Sequence, residues 1–317
     1  MSPSRATIAV DNGSGVIKCG FAGDSSPRAL LPTRGLAGAS STQPMVGGVV
    51  QDWDQMETYW DHAFTSMLQI DTEEVNIMIT AHTFETKDNR ERLMQSLFES
   101  FAAPAVFVAP PPVFELYASG RENGVVVGVG EQVAYALLVH EGQPDPRTLV
   151  RSSVAGEALT AWAARRLHSA NHKDGSKKEG EVVGSMEESV ARALKEQLGT
   201  LLPLHGEGEC AKDQTYTLPD GRTLTASAET CAAIAEPLFD PSLVGVAGGS
   251  LTEMVGESIR LRDRDGALEL VRVSMGAAQG MPDRLLPPLG LGGLELAPLL
   301  LDDAAGLLPR PAQLLLM

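Results

Sequence analysis

The sequence is poor in cysteine and in aromatic residues. Its three cysteines, Cys19, Cys210 and Cys231, form no CxxC pair and have no metal-ligand spacing with a histidine. A disulfide framework and a structural zinc site are therefore not expected, and we expect reduced thiols in an intracellular protein. Aromatic residues make up only 5% of the chain, so aliphatic side chains must fill most of the core.

Basic residues are also scarce, since 25 lysines and arginines face 41 acidic residues, for a formal net charge of −16 and a pI near 4.8. Nucleic-acid binding requires clustered Lys and Arg, so direct contact with nucleic acid is not expected. No apolar run reaches the roughly 18 residues of a membrane helix, and the first residues lack an apolar signal core. We expect no membrane partner.

The chain does contain alternating strand and helix patterns, which predict an α/β fold. A length of 317 residues exceeds what one core usually holds and indicates two lobes. We predict a first lobe over residues 1–120, a second lobe over 121–283 and a tail over 284–317. The predicted strands are 6–11, 16–23, 76–81, 124–130 and 135–142, the predicted helices are 53–67, 93–101, 156–170 and 186–202, and the predicted loops are 29–50 and 171–182.

The tail differs in composition from the rest of the chain. Residues 285–317 contain 14 leucines, and five prolines interrupt them, which rules out one long helix. Three interpretations stay open. The tail forms short turns that cover the body, it is an apolar patch for a partner, or it reflects an alternative or misassigned end of the gene.

Residues 10–32, VDNGSGVIKCGFAGDSSPRALLP, have the pattern of a phosphate-binding turn. Gly13 and Gly15 permit a tight turn whose N–H groups face an anion. Asp11 can hold the water shell of a divalent cation, and Lys18 can neutralise phosphate charge. The segment predicts a site for a phosphate and its cation.

This 23-residue segment closely resembles the first phosphate loop of actin. Further segments resemble successive parts of actin in the same order, so that the likeness covers about residues 6–283. These segments are 53–64, 85–110, 115–127, 154–160, 193–198, 216–221 and 236–245. The chain is identified as a divergent, shortened member of the actin and actin-related family.

The resemblance implies an actin-like fold, of the duplicated ribonuclease-H-like type, with two α/β lobes around a nucleotide cleft. If nucleotide binding is kept, it implies contacts from Asp11, Gly13, Ser14, Gly15, Lys18, Gly130, Gly156, Lys195, Glu196 and Gly276. Asp11 is also the implied metal contact, through water. An alternative interpretation of Lys195 and Glu196 stays open, because such residues are common on exposed helix faces.

Four departures from the family pattern predict that catalysis is lost. Pro111 aligns with the glutamine that helps to position the attacking water, and Gly128 aligns with the aspartate that polarises the cation's water shell. Gln132 replaces the last glycine of the second phosphate loop, and Tyr135 replaces a histidine. Each lost acid–base or water-orienting group typically costs about 10²–10⁴ in rate. We predict a degenerate ATPase.

The second phosphate loop keeps only Gly130 and a lengthened acid, Glu131, from the family's set. If its turn needs a positive φ at Gln132, the replacement of glycine costs roughly 1–2 kcal/mol. We therefore expect that no cofactor is required, and that any binding of ATP or ADP with Mg is weakened.

Two regions of actin are missing from the pattern. Only residues 33–50 stand where actin has the small subdomain that grips the next filament subunit, and the family's C-terminal elements of the first lobe have no counterpart. We therefore expect no self-polymerisation. We also expect Leu93, Leu97 and Phe101 to be exposed unless the tail or another subunit covers them.

The leading hypothesis is a non-catalytic, structural actin-related protein, built with other protein subunits into a cytoskeletal or axonemal assembly. It would then lie in the cytoplasm with the cytoskeleton, with the cilium as one such place. The alternatives are an ATP-binding switch protein of the actin family and an actin-related subunit of a chromatin-remodelling complex in the nucleus.

Overall fold

The structure is a computed structural model that describes residues 5–36, 43–171, 188–199, 213–217, 223–263 and 273–275. The chain divides into two compact units. Unit 1 comprises Met1–Glu122, Gly130–Gln132 and Val139–Pro146, and unit 2 comprises Asn123–Val129, Val133–Leu138 and Arg147–Met317. The tail 284–317 and nearly all of the predicted loop 171–182 lie outside the described residues.

Unit 1 contains a five-stranded mixed sheet in the order β3-β2-β1-β6-β7. Its strands are β1 (Thr7–Asn12), β2 (Val16–Phe21), β3 (Ala29–Pro32), β6 (Asn76–Thr80) and β7 (Val106–Ala109). The first three strands are antiparallel neighbours, and β6 and β7 run parallel to β1. Buried and half-buried residues alternate along β1, as expected for a sheet with one face on the core.

Three helices belong to unit 1. α1 (Trp53–Asp61) and α2 (Lys87–Gln95) each continue into a π-helical segment, and α3 spans Pro111–Ala118. The side chains of Asp52 and Thr86 cap α1 and α2 by accepting backbone N–H groups. Proline is well tolerated in the first helical turn, and Pro111 is the first residue of α3.

The core of unit 1 corrects one prediction. Leu93 and Leu97 are buried, and Phe101 packs against the core, with its ring 6.2 Å from that of Trp60 and 5.4 Å from that of Phe64. The exposure expected for uncovered Leu93, Leu97 and Phe101 does not occur, because these side chains pack in one cluster with residues of α1 and of its π-helical continuation. Phe98, next to Leu97, is 44% exposed, and Phe107 on β7 is 59% exposed.

Residues 29–50 also contain more structure than the predicted loop. Besides β3, this region holds a tight hairpin of β4 (Met45–Val46) and β5 (Val49–Val50). Gly47 and Gly48 form its two-residue turn with φ values of +60° and +81°. Two left-handed residues are typical of the hairpin turn that matches strand twist, and glycine adopts them without steric cost.

Unit 2 holds most of a second sheet, in the order β10-β9-β8-β14, with β11 paired to β9. Its strands are β8 (Gly124–Val129), β9 (Ala134–His140), β10 (Gln143–Pro144), β11 (Val150–Ser152) and β14 (Val273–Met275). The strand β10 and the last residues of β9 are counted with unit 1. The described part of unit 2 also contains α4 (Gly156–Asn171), α5 (Glu188–Leu198), the hairpin β12 (Gln214–Thr217) and β13 (Thr223–Ala226), α6 (Ala228–Ala233) and α7 (Leu251–Asp263). Two short 3-10 helices, Glu236–Leu238 and Pro241–Val244, lie between α6 and α7. The predicted α/β class is confirmed.

Two further observations concern thiols and membranes. Cys19 and Cys231 are buried free thiols, and burial raises the pKa of Cys19 to about 12, whereas Cys210 lies outside the described residues. Within the described part of the chain, no helix has both the length and the apolar character needed to cross a bilayer.

The burial of Leu97, in the π-helical segment that continues α2, generates a prediction. Leu97→Ala should lower the free energy of unfolding by about 2–5 kcal/mol, because it removes buried methyl groups and leaves a cavity. The neighbouring Phe98→Ala, which removes an exposed ring, should have a clearly smaller effect. Denaturant titration of both variants measures the difference, and equal losses would contradict this assignment of the core.

Candidate functional site

The first turn of unit 1, residues 12–15, joins β1 to β2. Asp11 and Lys18 lie opposite each other in these strands, and Lys18 Nζ is 3.1 Å from Asp11 Oδ2. Thr80 Oγ1 donates to the other carboxylate oxygen of Asp11 at 3.2 Å. The two charged groups expected to serve a cation and a phosphate thus contact each other across the sheet.

Ser14 is buried within this turn, and its hydroxyl oxygen and its carbonyl oxygen both accept hydrogen bonds. Its hydroxyl accepts the N–H of Gly48 at 3.1 Å, and its carbonyl accepts Gln43 Nε2 at 2.5 Å and Thr33 Oγ1 at 2.5 Å. Gly13 must be glycine, since a Cβ there would lie 2.5 Å from the carbonyl oxygen of Val16. Thr33, Gln43 and Gly48 therefore supply these partners of Ser14.

The second turn, residues 130–132, also belongs to unit 1 and packs against the first turn. A Cβ on Gly15 would lie 3.0 Å from both Cβ and Cγ of Glu131 and 3.3 Å from its carboxyl carbon. Glu131 therefore lies directly over Gly15 and brings a carboxylate beside the first turn. A negative charge at this place opposes a bound phosphate.

Gln132 corrects the predicted backbone cost of the second turn. It is not among the described residues with positive φ, so the strain expected from replacing a glycine does not arise. Its side chain is instead bonded to the segment 43–48, where its Oε1 accepts the N–H of Gly47 at 2.8 Å and its Nε2 donates to Gln43 Oε1 at 3.1 Å.

Gly128 and Tyr135 lie against each other in unit 2, on β8 and β9. A Cβ added to Gly128 would lie 2.3 Å from Tyr135 Cζ and 2.5 Å from the tyrosine hydroxyl oxygen. The tyrosine is buried, so its ring takes the space that any side chain at position 128 would need. Two departures that are separate in the sequence form one packing pair.

Gly156 and Lys195, two of the residues implied on the nucleoside side, meet within unit 2. Lys195 Nζ donates to the carbonyl of Gly156 at 3.1 Å, and Lys195 is only 3% exposed. The alternative interpretation of an exposed helix face is therefore wrong for Lys195, while Glu196 is half-buried. Gly276 lies outside the described residues.

Sequence reasoning did not single out His82, a further residue of this region. It follows β6, is half-buried, stacks on Phe84 at 4.6 Å, and lies within 3 Å of where a Cβ on Gly48 would be. Burial lowers its pKa to about 4, while the charge of Asp11 acts in the opposite direction. A lone histidine after a predicted strand carries no local signal of such burial.

The residues of the two turns do not fit a triphosphate with its cation. Position 128 offers no carboxylate and has no room for one, and Glu131 places a negative charge beside Gly15. Among the described residues, no three carboxylate, imidazole or thiol side chains converge as a metal site. This leaves Asp11 and Lys18 as the charged pair at the first turn.

The family model for actin matches residues 34–280, well over half of the chain. The chain belongs to the actin family. A curated relative, the "Actin-like protein" of Neurospora crassa, is 32% identical over 321 aligned positions, which cover 89% of this chain and 83% of that protein. The predicted family and the actin-like fold are thereby confirmed.

The lowered pKa of His82 generates a prediction about pH. Its pKa of about 4 in the folded state lies below its ordinary value of 6.5, so the unfolded chain binds more protons between these values. The free energy of unfolding should therefore fall as the pH is lowered through this window. His82→Gln should flatten this slope, whereas the exposed His140→Gln should leave it unchanged. Denaturant titrations between pH 7 and pH 4 test this, and a slope unaffected by His82→Gln would contradict it.

The Gly128–Tyr135 pair generates another prediction. Gly128→Asp alone should destabilise unit 2 by roughly 1–3 kcal/mol or more, because the new side chain overlaps the tyrosine ring. Adding Tyr135→His, which removes the outer ring atoms, should recover part of this loss. Thermal unfolding of the single and double variants measures the recovery, and purely additive losses would show that the two residues do not compete for space.

Proposed function

We propose that this actin-family chain is a non-catalytic structural subunit of a larger cytoskeletal assembly. The observation that carries the proposal is the Gly128–Tyr135 pair. In the family pattern an aspartate at position 128 polarises the water shell of the cation. A buried tyrosine ring takes its space here, so the carboxylate cannot be supplied by a small movement of a neighbouring residue.

Two further features support the absence of catalysis. Pro111 begins α3 where the pattern has a glutamine, and proline has no side-chain amide with which to orient water. Glu131 lies against Gly15 and brings an acidic side chain beside the first turn, which the family resemblance assigns to a phosphate. The loss of one such catalytic group typically lowers the reaction rate by a factor of about 10²–10⁴. When several groups are lost, these factors together lower the rate of hydrolysis further.

The segment 33–50 supports a role within an assembly formed with other proteins. In its described part it forms β4, β5 and contacts with the two turns, and these bonds use it inside unit 1. A segment employed in this way is not available as a filament-gripping subdomain. We propose that the chain does not polymerise by itself, that its partners are other protein subunits, and that it lies with the cytoskeleton, in an axoneme or elsewhere in the cytoplasm.

One observation favours a second candidate, an ATP-binding switch of the actin family. Asp11, Lys18, Gly156 and Lys195 keep the residue types of the nucleotide-binding pattern, and the structure brings them together in two pairs. Each pair is also explained without a ligand, as a cross-strand ion pair and as a bond between two helices. We therefore propose that no nucleotide is required.

The proposed function is tested by the hydrolysis of ATP. The purified chain should release phosphate at the rate of buffer alone, with Mg²⁺ or Ca²⁺, because the cation-side carboxylate and the water-positioning amide are both replaced. Filamentous actin assayed in parallel is the positive control, and Lys18→Ala shows whether any residual signal comes from the first turn. Turnover comparable to that of filamentous actin, abolished by Lys18→Ala, would overturn the proposal.

A further inference from the structure

Two departures from the actin pattern touch each other in unit 1: the short segment 33–50 and the glutamine at position 132. The side-chain amide of Gln132 accepts the N–H of Gly47 at 2.8 Å and donates to Gln43 Oε1 at 3.1 Å. The family's glycine at this position has no side chain and makes neither bond. The replacement therefore adds two hydrogen bonds between the second turn and this segment.

The same segment is bonded to the first turn. Gln43 Nε2 donates to the carbonyl of Ser14 at 2.5 Å, and the N–H of Gly48 donates to its hydroxyl at 3.1 Å. Arg34 fixes the orientation of the Gln43 amide, because its Nε and Nη2 donate to Gln43 Oε1 at 3.1 Å and 2.9 Å. With its oxygen held by Arg34, the Gln43 amide must direct its nitrogen toward Ser14.

We infer that Gln132, Gln43 and the Gly47–Gly48 turn form a clasp that joins the two turns by the protein's own hydrogen bonds, without a nucleotide. Here "clasp" means the four bonds among Ser14, Gln43, Gly47, Gly48 and Gln132. Glu131 closes the same place by packing on Gly15. One of the four bonds is buried and three are partly buried, and a connected hydrogen-bond network shielded from water stabilises one arrangement.

The clasp has a consequence for ligands. An anion entering the first turn would meet the Gly48 backbone and the Gln43 side chain, which are bonded to Ser14, and the carboxylate of Glu131. The clasp satisfies the hydroxyl and carbonyl oxygens of Ser14 with donors from the protein itself, so unit 1 is complete when the clasp is formed and no phosphate is bound. This inference goes beyond the absence of catalysis, since a chain without ATPase activity could still need a nucleotide to fold.

A double-mutant cycle tests the clasp in the full chain. Gln43→Ala, Gln132→Ala and the double variant are compared by thermal unfolding, without nucleotide and with a chelator present. Each single change should lower the Tm by at least about 2–4 °C. The double change should lower it by less than the sum, because the two residues share one bond. The exposed Gln197→Ala, in α5, is the matched control and should leave the Tm unchanged. Strictly additive losses, or none, would overturn the inference.

Hydrogen exchange provides a second measurement that does not depend on a variant folding. The amides of Gly47 and Gly48 should be protected in the wild-type chain without nucleotide, because both donate in the clasp. Exchange as fast as in an exposed hairpin turn would overturn the inference.

The effect of nucleotide on the Tm provides a third measurement. A rise in the Tm of the wild-type chain with Mg-ATP would overturn the inference as well, since a ligand that binds the folded state stabilises it. These results are independent of the hydrolysis assay, so the two proposals can fail separately.

Discussion

The close approach of Glu131 to Gly15 is the constraint on which the rest of the site depends. A Cβ at Gly15 would lie 3.0 Å from the side chain of Glu131, so the glycine allows the two turns of unit 1 to meet this closely without a shift of the glutamate. That approach brings Gln132 within reach of Gly47 and Gln43, and these in turn reach Ser14. A glycine pattern typical of phosphate binding is used here for contact between protein segments.

The departures from the family pattern are compatible with the fold. Gly128 leaves room for the buried ring of Tyr135 on the neighbouring strand, so the space stays filled and the sheet stays paired. Asp11 and Lys18 have kept their residue types, and each now has the other as a partner 3.1 Å away. Retained residue types alone are therefore weak evidence for retained binding in this family.

Much of the fold could be predicted from local patterns, because alternation in β1 and helical spacing in α1 reflect burial directly. The family could be predicted because successive segments of the sequence resemble actin segments in the same order. The burial of Leu97 agrees with helical spacing, but its partners in the core cluster, such as Trp60 and Phe64, come from another part of the chain and have no local signal. The hairpin at 45–50 had a local signal, Gly-Gly between valines, that was treated as loop composition. The bond between Gln43 and Gln132 spans 89 positions, and no local pattern carries such information.

The central claim is that this actin-family chain holds its site closed by its own side chains and needs no nucleotide. The most direct measurement is the nucleotide content of the chain purified gently from its native source, released by acid and quantified by chromatography. The account predicts far less than one nucleotide per chain in a folded, soluble preparation. One ADP or ATP per chain, retained through purification and lost only with unfolding, would contradict it.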